Sequence, residues 1–531
     1  VNLSRRRPAL VLAGLLLLAV LPETALTRER AHAPLLAAIR TEARTHSHVM
    51  ETASTLCDVI GARVTGSPQY HAAALWVSQR LTEWGIPRVT TERWGPFGPV
   101  WVAGRATLTL LEPEEKSLIA YPKPWSAATP GPVVAPAVHV RLVSENDLKA
   151  HRGQLRGRIV LLDDTEPMPL ETQPLAHRYT SQELAGLAGP ETSSGRWDSQ
   201  RELDRARFEV SRRAFLLQEG AVATLESGQR DGGTVVVARW TDVMPPASVG
   251  AAVPGLVVAA EQYNRLVRLV EGGHNVSLEV NVGSHFLEKE TMVENVIAEI
   301  PGSDRAGEVV ILGAHLDSWH GGCGATDDAA GVAVAMEAMR ILHSVARPRR
   351  TVRLGLWGGE EQGLLGSRAY VAQHLGWRDE PDDDAVRALP FFMRPFQGRL
   401  HLRPEARSVQ AYFNTDYGTG RIRGIFLGHD LQAADLFKTW LSPLEDLEAS
   451  TVSPRPMQGA DHQSFESIGI PAFMFIQDDL EYFSRTHHTN MDVLDRLQER
   501  DLIQAATVLA SLALEAADSD VRIPRPTLPS P

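Results

Sequence analysis

Apolar positions recur along the chain with three different rhythms. Over residues 34–111 the spacing is first helical, at 54–60 and 71–84, and then alternates as in strands, at 89–94 and 106–111. The loop 61–68 separates the two helices. Five prolines between Tyr121 and Pro136 predict a linker and a domain edge. Short apolar runs follow at 137–143, 158–162, 221–225 and 255–258, then a helix at 259–271 and a strand at 276–282, which together predict a compact β-rich unit. Its polar stretch 164–199, rich in Pro, Thr, Ser and Gly, predicts a long mobile loop without chemistry.

Beyond residue 285 strands and helices alternate. Strands are predicted at 294–299, 309–315, 352–357, 409–414 and 472–476, and helices at 328–342, 361–373 and 494–516. That order predicts an α/β fold, a mostly parallel mixed sheet flanked by helices. The acidic and then aromatic insertion 376–407 has no strong period. Five parts follow: a signal peptide or anchor at 1–27, an N-terminal part of the main domain at 30–135, the β-rich unit at 136–285, the main domain at 286–520, and a Pro-rich tail at 521–531.

With 43% hydrophobic and 22% charged residues the bulk of the 531-residue chain is expected to fold. Its net charge of −12 argues against nucleic acid as a partner, because phosphate neutralisation requires excess Lys and Arg. Arg5, Arg6 and Arg7 precede an apolar run that ends at Pro22, the layout of an export signal, so a periplasmic or secreted protein is expected. An uncleaved segment would instead leave an N-terminal membrane anchor, and a homodimer remains open. Cys57 and Cys323 lie far apart in sequence, so neither a disulfide framework nor a cysteine zinc site is expected.

Candidate chemistry gathers in the second half. His315, Asp327, Glu361, Asp416 and His488 are metal-seeking side chains, four of them just after apolar runs, where α/β sheets place their sites. Imidazole suits zinc, and three carboxylates against two divalent cations leave one positive charge for a hydroxide to neutralise. Asp317 is placed to accept the second N–H of His315, and Glu360 precedes a proposed ligand as a spare acid. Asp327 is expected to open a helix after Gly321, Gly322 and Gly324.

These residues also carry a resemblance. Gly313-Ala314-His315-Leu316-Asp317-Ser318-Trp319, followed by Asp327-Asp328-Ala329-Ala330-Gly331, resembles the metal loop of the co-catalytic zinc aminopeptidase and glutamate carboxypeptidase superfamily. The motif from Leu356 to Gly363 is similar to its base-plus-ligand segment. Asn414-Thr415-Asp416 and the residues from His488 to Asp492 are similar to its last ligand motifs, and Gly61 to Ser67 to its early arginine loop. Residues 137–283 resemble the protease-associated domain of some members, and the order of parts is most similar to the carboxypeptidase Q branch.

The resemblance implies two Zn²⁺, one held by His315 and Asp416, the other by Glu361 and His488, with Asp327 bridging and Glu360 as general base. His487 is the alternative to His488, which Thr489 and Asp492 favour by completing the motif. Asp461, in a segment similar to a loop near the substrate, is the candidate for a substrate ammonium or N–H. The implied function is hydrolysis of short peptides or dipeptides, as an aminopeptidase or dipeptidase. The alternatives are a carboxypeptidase, for which Arg63, Arg421 and Arg423 are the cations to place, a glutaminyl cyclase-like acyltransferase and a non-catalytic binding ectodomain.

Overall fold

A computed structural model describes residues 23–190, 199–242, 252–287, 290–387, 389–394 and 398–526. The arginine-led apolar segment of residues 5–21 lies outside them. Among the described residues no helix is long and apolar enough to cross a membrane.

The main sheet has eight strands in the order Arg88–Phe97, Thr291–Ile300, Arg350–Trp357, Arg305–His315, Val409–Asn414, Ala472–Gln477, Ile422–Phe426 and Thr451–Ser453. Its centre is parallel, with Arg305–His315 paired to Arg350–Trp357 on one side and to Val409–Asn414 on the other. The apolar runs are continuous because these strands are covered on both faces. Along the central strand Val310 and Leu312 join the larger core, under the helices Ala330–Val345 and Glu499–Asp518, while Val309 and Ile311 join a second cluster with Trp357, Tyr370 and Phe465. Burying each such Val or Leu stabilises by about 1.5–3 kcal/mol.

The eight strands of a second sheet run in the order Lys116–Leu118, Ala106–Glu112, Ser277–Val282, Val133–His139, Ile159–Leu161, Ala223–Ser227, Gly255–Val258 and Ala120–Pro122. The stretch predicted as a linker is therefore strand at both ends, Ala120–Pro122 pairing with Gly255–Val258 and Val133–His139 with Ser277–Val282. Pro122 ends its short strand, and Pro136 is the middle residue of its own, where pairing with Ser277–Val282 gives way to pairing with Ile159–Leu161. The amphipathic helix Ala260–Glu271 presses Tyr263, Leu266 and Val267 onto this sheet.

Two sets of contacts between the sheets bear on the site. In one, Val236 bridges Thr489, the N–H of Val237 donates to the carbonyl of His488 at 2.9 Å, and that of Asn490 donates to Val235 at 3.1 Å. The other corrects the expectation of a mobile polar loop at 164–199: its described part carries the capped helix Ser181–Leu187 and is strapped to the main domain. His177 bridges Leu480, and Arg178 reaches Asp478 at 3.0 Å and Asp501 at 2.6 Å. Composition suggested solvent, but charged and turn-forming side chains are here docking groups. The insertion contains a small hairpin, Gly376–Arg378 with Leu400–Leu402, and the C-terminal tail is tied down where Arg525 donates to the carbonyl of Ala406 at 2.6 Å. Cys57 and Cys323 meet in space despite their separation in sequence, as free thiols, and the neighbouring sulfur together with burial pushes Cys57 up.

Candidate metal centre

The site forms at the carboxyl ends of the central strands. His315 is the last residue of Arg305–His315, Asp416 lies two residues beyond Val409–Asn414, and Glu360 and Glu361 stand in the turn between Arg350–Trp357 and the helix Leu365–His374. That helix starts later than predicted, because Gly359 and Gly363 take positive φ and turn the chain first. Asp327 likewise precedes its helix: it has φ −136° and ψ 82°, and the helix begins at Ala330. Gly331 leaves room there, since a Cβ would lie 2.3 Å from the Asp328 carboxylate and from the Thr415 carbonyl.

The five predicted ligands converge. Asp327 Oδ1 lies 3.1 Å from His315 Nε2, which is 3.5 Å from Asp416, while Asp327 Oδ2 lies 3.4 Å from His488 Nε2, itself 3.0 Å from Glu361. One carboxylate thus faces two imidazoles with different oxygens. His487 stacks on His488 with ring centres 3.8 Å apart, but its Nε2 is 3.9 Å from Asp327, so His488 is the better-placed donor.

Both histidines are oriented by main-chain carbonyls. His315 Nδ1–H donates to the carbonyl of Asp317 at 3.0 Å and His488 Nδ1–H to that of Ala238 at 3.3 Å, which leaves each Nε2 free to bind a cation. Asp317 thus accepts the second N–H of His315 through its main-chain carbonyl, with its carboxylate further off at 3.7 Å from His315 Nδ1. The carboxylate accepts the N–H groups of Glu360 and Glu361, both at 3.2 Å, and the hydroxyl of Thr65 at 2.9 Å, fixing the turn that carries both acids.

The electrostatics fit a cation-binding site. Burial pushes Glu361 up to about 7 and Glu360 well above the carboxylate range, with Asp416 and Asp461 adding to the effect on Glu360. Burial also raises Asp416, while at Asp327 it is outweighed by the surrounding histidines, which hold that carboxylate low. Asp327 Oδ2 and Glu361 Oε1 are buried without a hydrogen-bond donor. Orphaned buried carboxylate oxygens beside free imidazole nitrogens are the donor set of a divalent metal. Asp328, not among the predicted ligands, also lies within ligand distance of His315 and Asp416, but its carboxylate is already engaged by the N–H groups of His315 at 3.3 Å and Gly331 at 3.0 Å.

A cavity of about 820 Å³ opens over these groups, with Asp327, Glu360, Glu361, Asp416 and His488 on its floor. Asp461 does not line it. It is fully buried, next in the chain to the lining residues Gly459 and Ala460. The three arginines weighed as substrate cations are occupied elsewhere. Arg63 donates to the carbonyls of Leu316, Cys323 and Gly324, clamping the metal loop, while Arg421 and Arg423 pair with Asp501 and Asp478. His320 faces the second sheet, donating to the carbonyl of Pro122 at 2.8 Å.

A two-cation centre at the carboxyl end of a parallel sheet, under a peptide-sized cavity, defines a co-catalytic metallohydrolase. Residues 295–513 match the profile of Peptidase family M28, so the chain carries a peptidase domain of that family and is a metallopeptidase. Over 477 residues it is 25% identical to mouse carboxypeptidase Q, covering 90% of this chain and 87% of that one. A crystal structure of a Peptidase M28 precursor from Shewanella amazonensis is similar at a TM-score of 0.68 and 26% identity, covering 95% of this chain and 100% of the other. The zinc aminopeptidase of Bacillus subtilis shares the fold at a TM-score of 0.54 and 18% identity, covering 89% and 95%.

Proposed function

We propose that this metallopeptidase is a di-zinc exopeptidase that removes a terminal residue from short peptides or splits dipeptides. The observation that carries it is the position of Asp327, whose two oxygens face His315 and His488 separately. His315 and Asp416 would hold one zinc, Glu361 and His488 the other, with Asp327 shared. Such a pair supplies a water of lowered pKa and polarises the scissile carbonyl.

The chain's own groups supply the rest. Glu360 lines the cavity beside the ligands, held by its N–H to Asp317, and in this reading takes a proton from the attacking water and hands it to the leaving amine. Two zincs per chain by elemental analysis, with hydrolysis of free dipeptides, is the expected result. Protein loaded with zinc that binds fewer than one ion and cleaves no peptide would overturn the reading. Cyclisation of a peptide beginning with glutamine, without hydrolysis, would favour an acyltransferase instead. We read the second sheet as a protease-associated domain inserted in the peptidase, and the arginine-led apolar segment 5–21 as an export signal. An intact amino terminus on cytosolic protein would contradict the latter.

A further inference from the structure

The second sheet does more than cover the cavity. Its segment 228–239 lies along the loop of the last metal ligand, through Val236 with Thr489, Val237 with His488 and Ala238 with the His488 ring. Five arginines of this unit line the cavity: Arg141, Arg205, Arg212, Arg230 and Arg239. Three are neutralised locally, Arg141 by Asp164, Arg212 by Glu209 and Arg239 by Asp163. Arg205 is exposed and lies over the ring of Trp240.

Arg230 differs from all of these. Among the described residues it has no carboxylate partner, and its Nη1 is buried without an acceptor. Burial lowers its pKa with no acid opposing the effect, and its charge is felt by His487, beside the ligand His488. A guanidinium left without an anion in a partly buried wall costs folding free energy unless a ligand completes it. Its planar fork matches a carboxylate with two parallel hydrogen bonds.

We infer that Arg230 is a specificity residue that binds a carboxylate of the substrate, so that the second sheet selects peptides bearing a free anion close to the bond cleaved. This rests on the exopeptidase reading above, and the carboxylate is either the peptide's own terminus or an acidic side chain.

The test compares the zinc-loaded full chain with Arg230→Gln and Arg230→Lys. Three substrates are used: an uncharged free dipeptide, its C-terminal amide, and a dipeptide amide with glutamate as second residue. The native protein is expected to favour one carboxylate-bearing substrate over the plain amide by roughly 10- to 100-fold in kcat/KM, the worth of a charged hydrogen bond. Arg230→Gln should bring that ratio to about one while zinc content stays at two, and Arg230→Lys should restore part of it by charge without the fork. Loss confined to the free dipeptide identifies the terminal carboxylate, and loss confined to the glutamyl amide identifies the side chain. An unchanged ratio in Arg230→Gln, or an equal fall on all three substrates, overturns the assignment. Should the native protein cleave none of them, the exopeptidase reading falls. Calorimetric titration of the same compounds then decides the role of Arg230, equal affinity in native and Gln proteins refuting it.

Discussion

Two buried acid clusters, one with the second sheet and one in the main domain, differ in their counter-charge. In the second sheet Glu226 is met by Lys123, by Arg239 at 3.4 Å and by Arg212 at 3.9 Å, and these cations outweigh burial and hold it far below the usual carboxylate range. In the main domain Glu361 is as deeply buried but has only histidine for a partner, and burial lifts it to about 7. The first cluster contains its own cations. The second has donor atoms arranged for cations from outside, so a buried carboxylate identifies a site only when its counter-charge is missing.

The sharpest way to break that contrast is to alter the uncompensated cluster. Asp327→Ala removes the group shared by both halves, and zinc content is expected to fall below two with peptide hydrolysis lost. Glu360→Gln should retain two zincs yet lower kcat by about 10²- to 10⁴-fold, the usual contribution of a general base. Elemental analysis beside steady-state kinetics separates the two outcomes, and full turnover by Glu360→Gln would remove its assigned role.

The compensated cluster should respond in stability instead. Glu226→Gln leaves Lys123, Arg212 and Arg239 with less counter-charge in a buried setting, a change expected to cost about 3–5 kcal/mol of folding free energy. Chemical denaturation measures it, and zinc content of the folded fraction should stay at two. A loss of zinc without a loss of stability would mean that the two clusters are not separate.

The candidate ligands were legible because four of the five follow apolar runs and because their residue types have few other uses in that combination. The central strands were legible for the same reason, as 309–314 and 472–476 are uninterrupted apolar stretches. What periodicity missed depends on partners distant in sequence. Ala120–Pro122 is a strand only because Gly255–Val258 lies beside it, and Ser181–Leu187 is held by a capping box and by Ser453, which donates to the carbonyl of Leu187 at 2.7 Å. Arg230 could not be singled out among the arginines, because its distinguishing property is the absence of a neighbour. Sequence adjacency did not say which atom of Asp317 meets His315, and it is the main-chain carbonyl.

Asp317 offers a smaller effect at the same centre. Its carboxylate accepts two main-chain N–H groups, so Asp317→Asn would turn an amide NH₂ towards at least one donor and loosen the turn bearing Glu360 and Glu361. A fall in kcat of about 10- to 100-fold is expected, with KM and zinc content little changed, as for other groups that orient ligands. If KM rose instead with kcat preserved, the turn would matter for binding and not for placing the base.

The smallest effect concerns a third kind of acid cluster, one whose counter-charge is itself titratable. His32 Nδ1 lies 2.9 Å from Glu515 and its Nε2 3.5 Å from Asp518, joining the helix Glu23–Thr45 to Glu499–Asp518. Hydrogen bonds to Asp518 and Glu515 raise its pKa to about 9. The folded state therefore holds the proton more tightly than the unfolded chain, whose histidine titrates near 6.5. The contribution is complete below about pH 6.5 and disappears as pH rises through about 9. His32→Gln should accordingly lose about 1 kcal/mol near pH 6, discounted for partial solvent screening, and nothing measurable near pH 10. Denaturation of native and variant proteins at both pH values provides the check. A deficit that persisted at about pH 10 would show that His32 acts by packing rather than by charge.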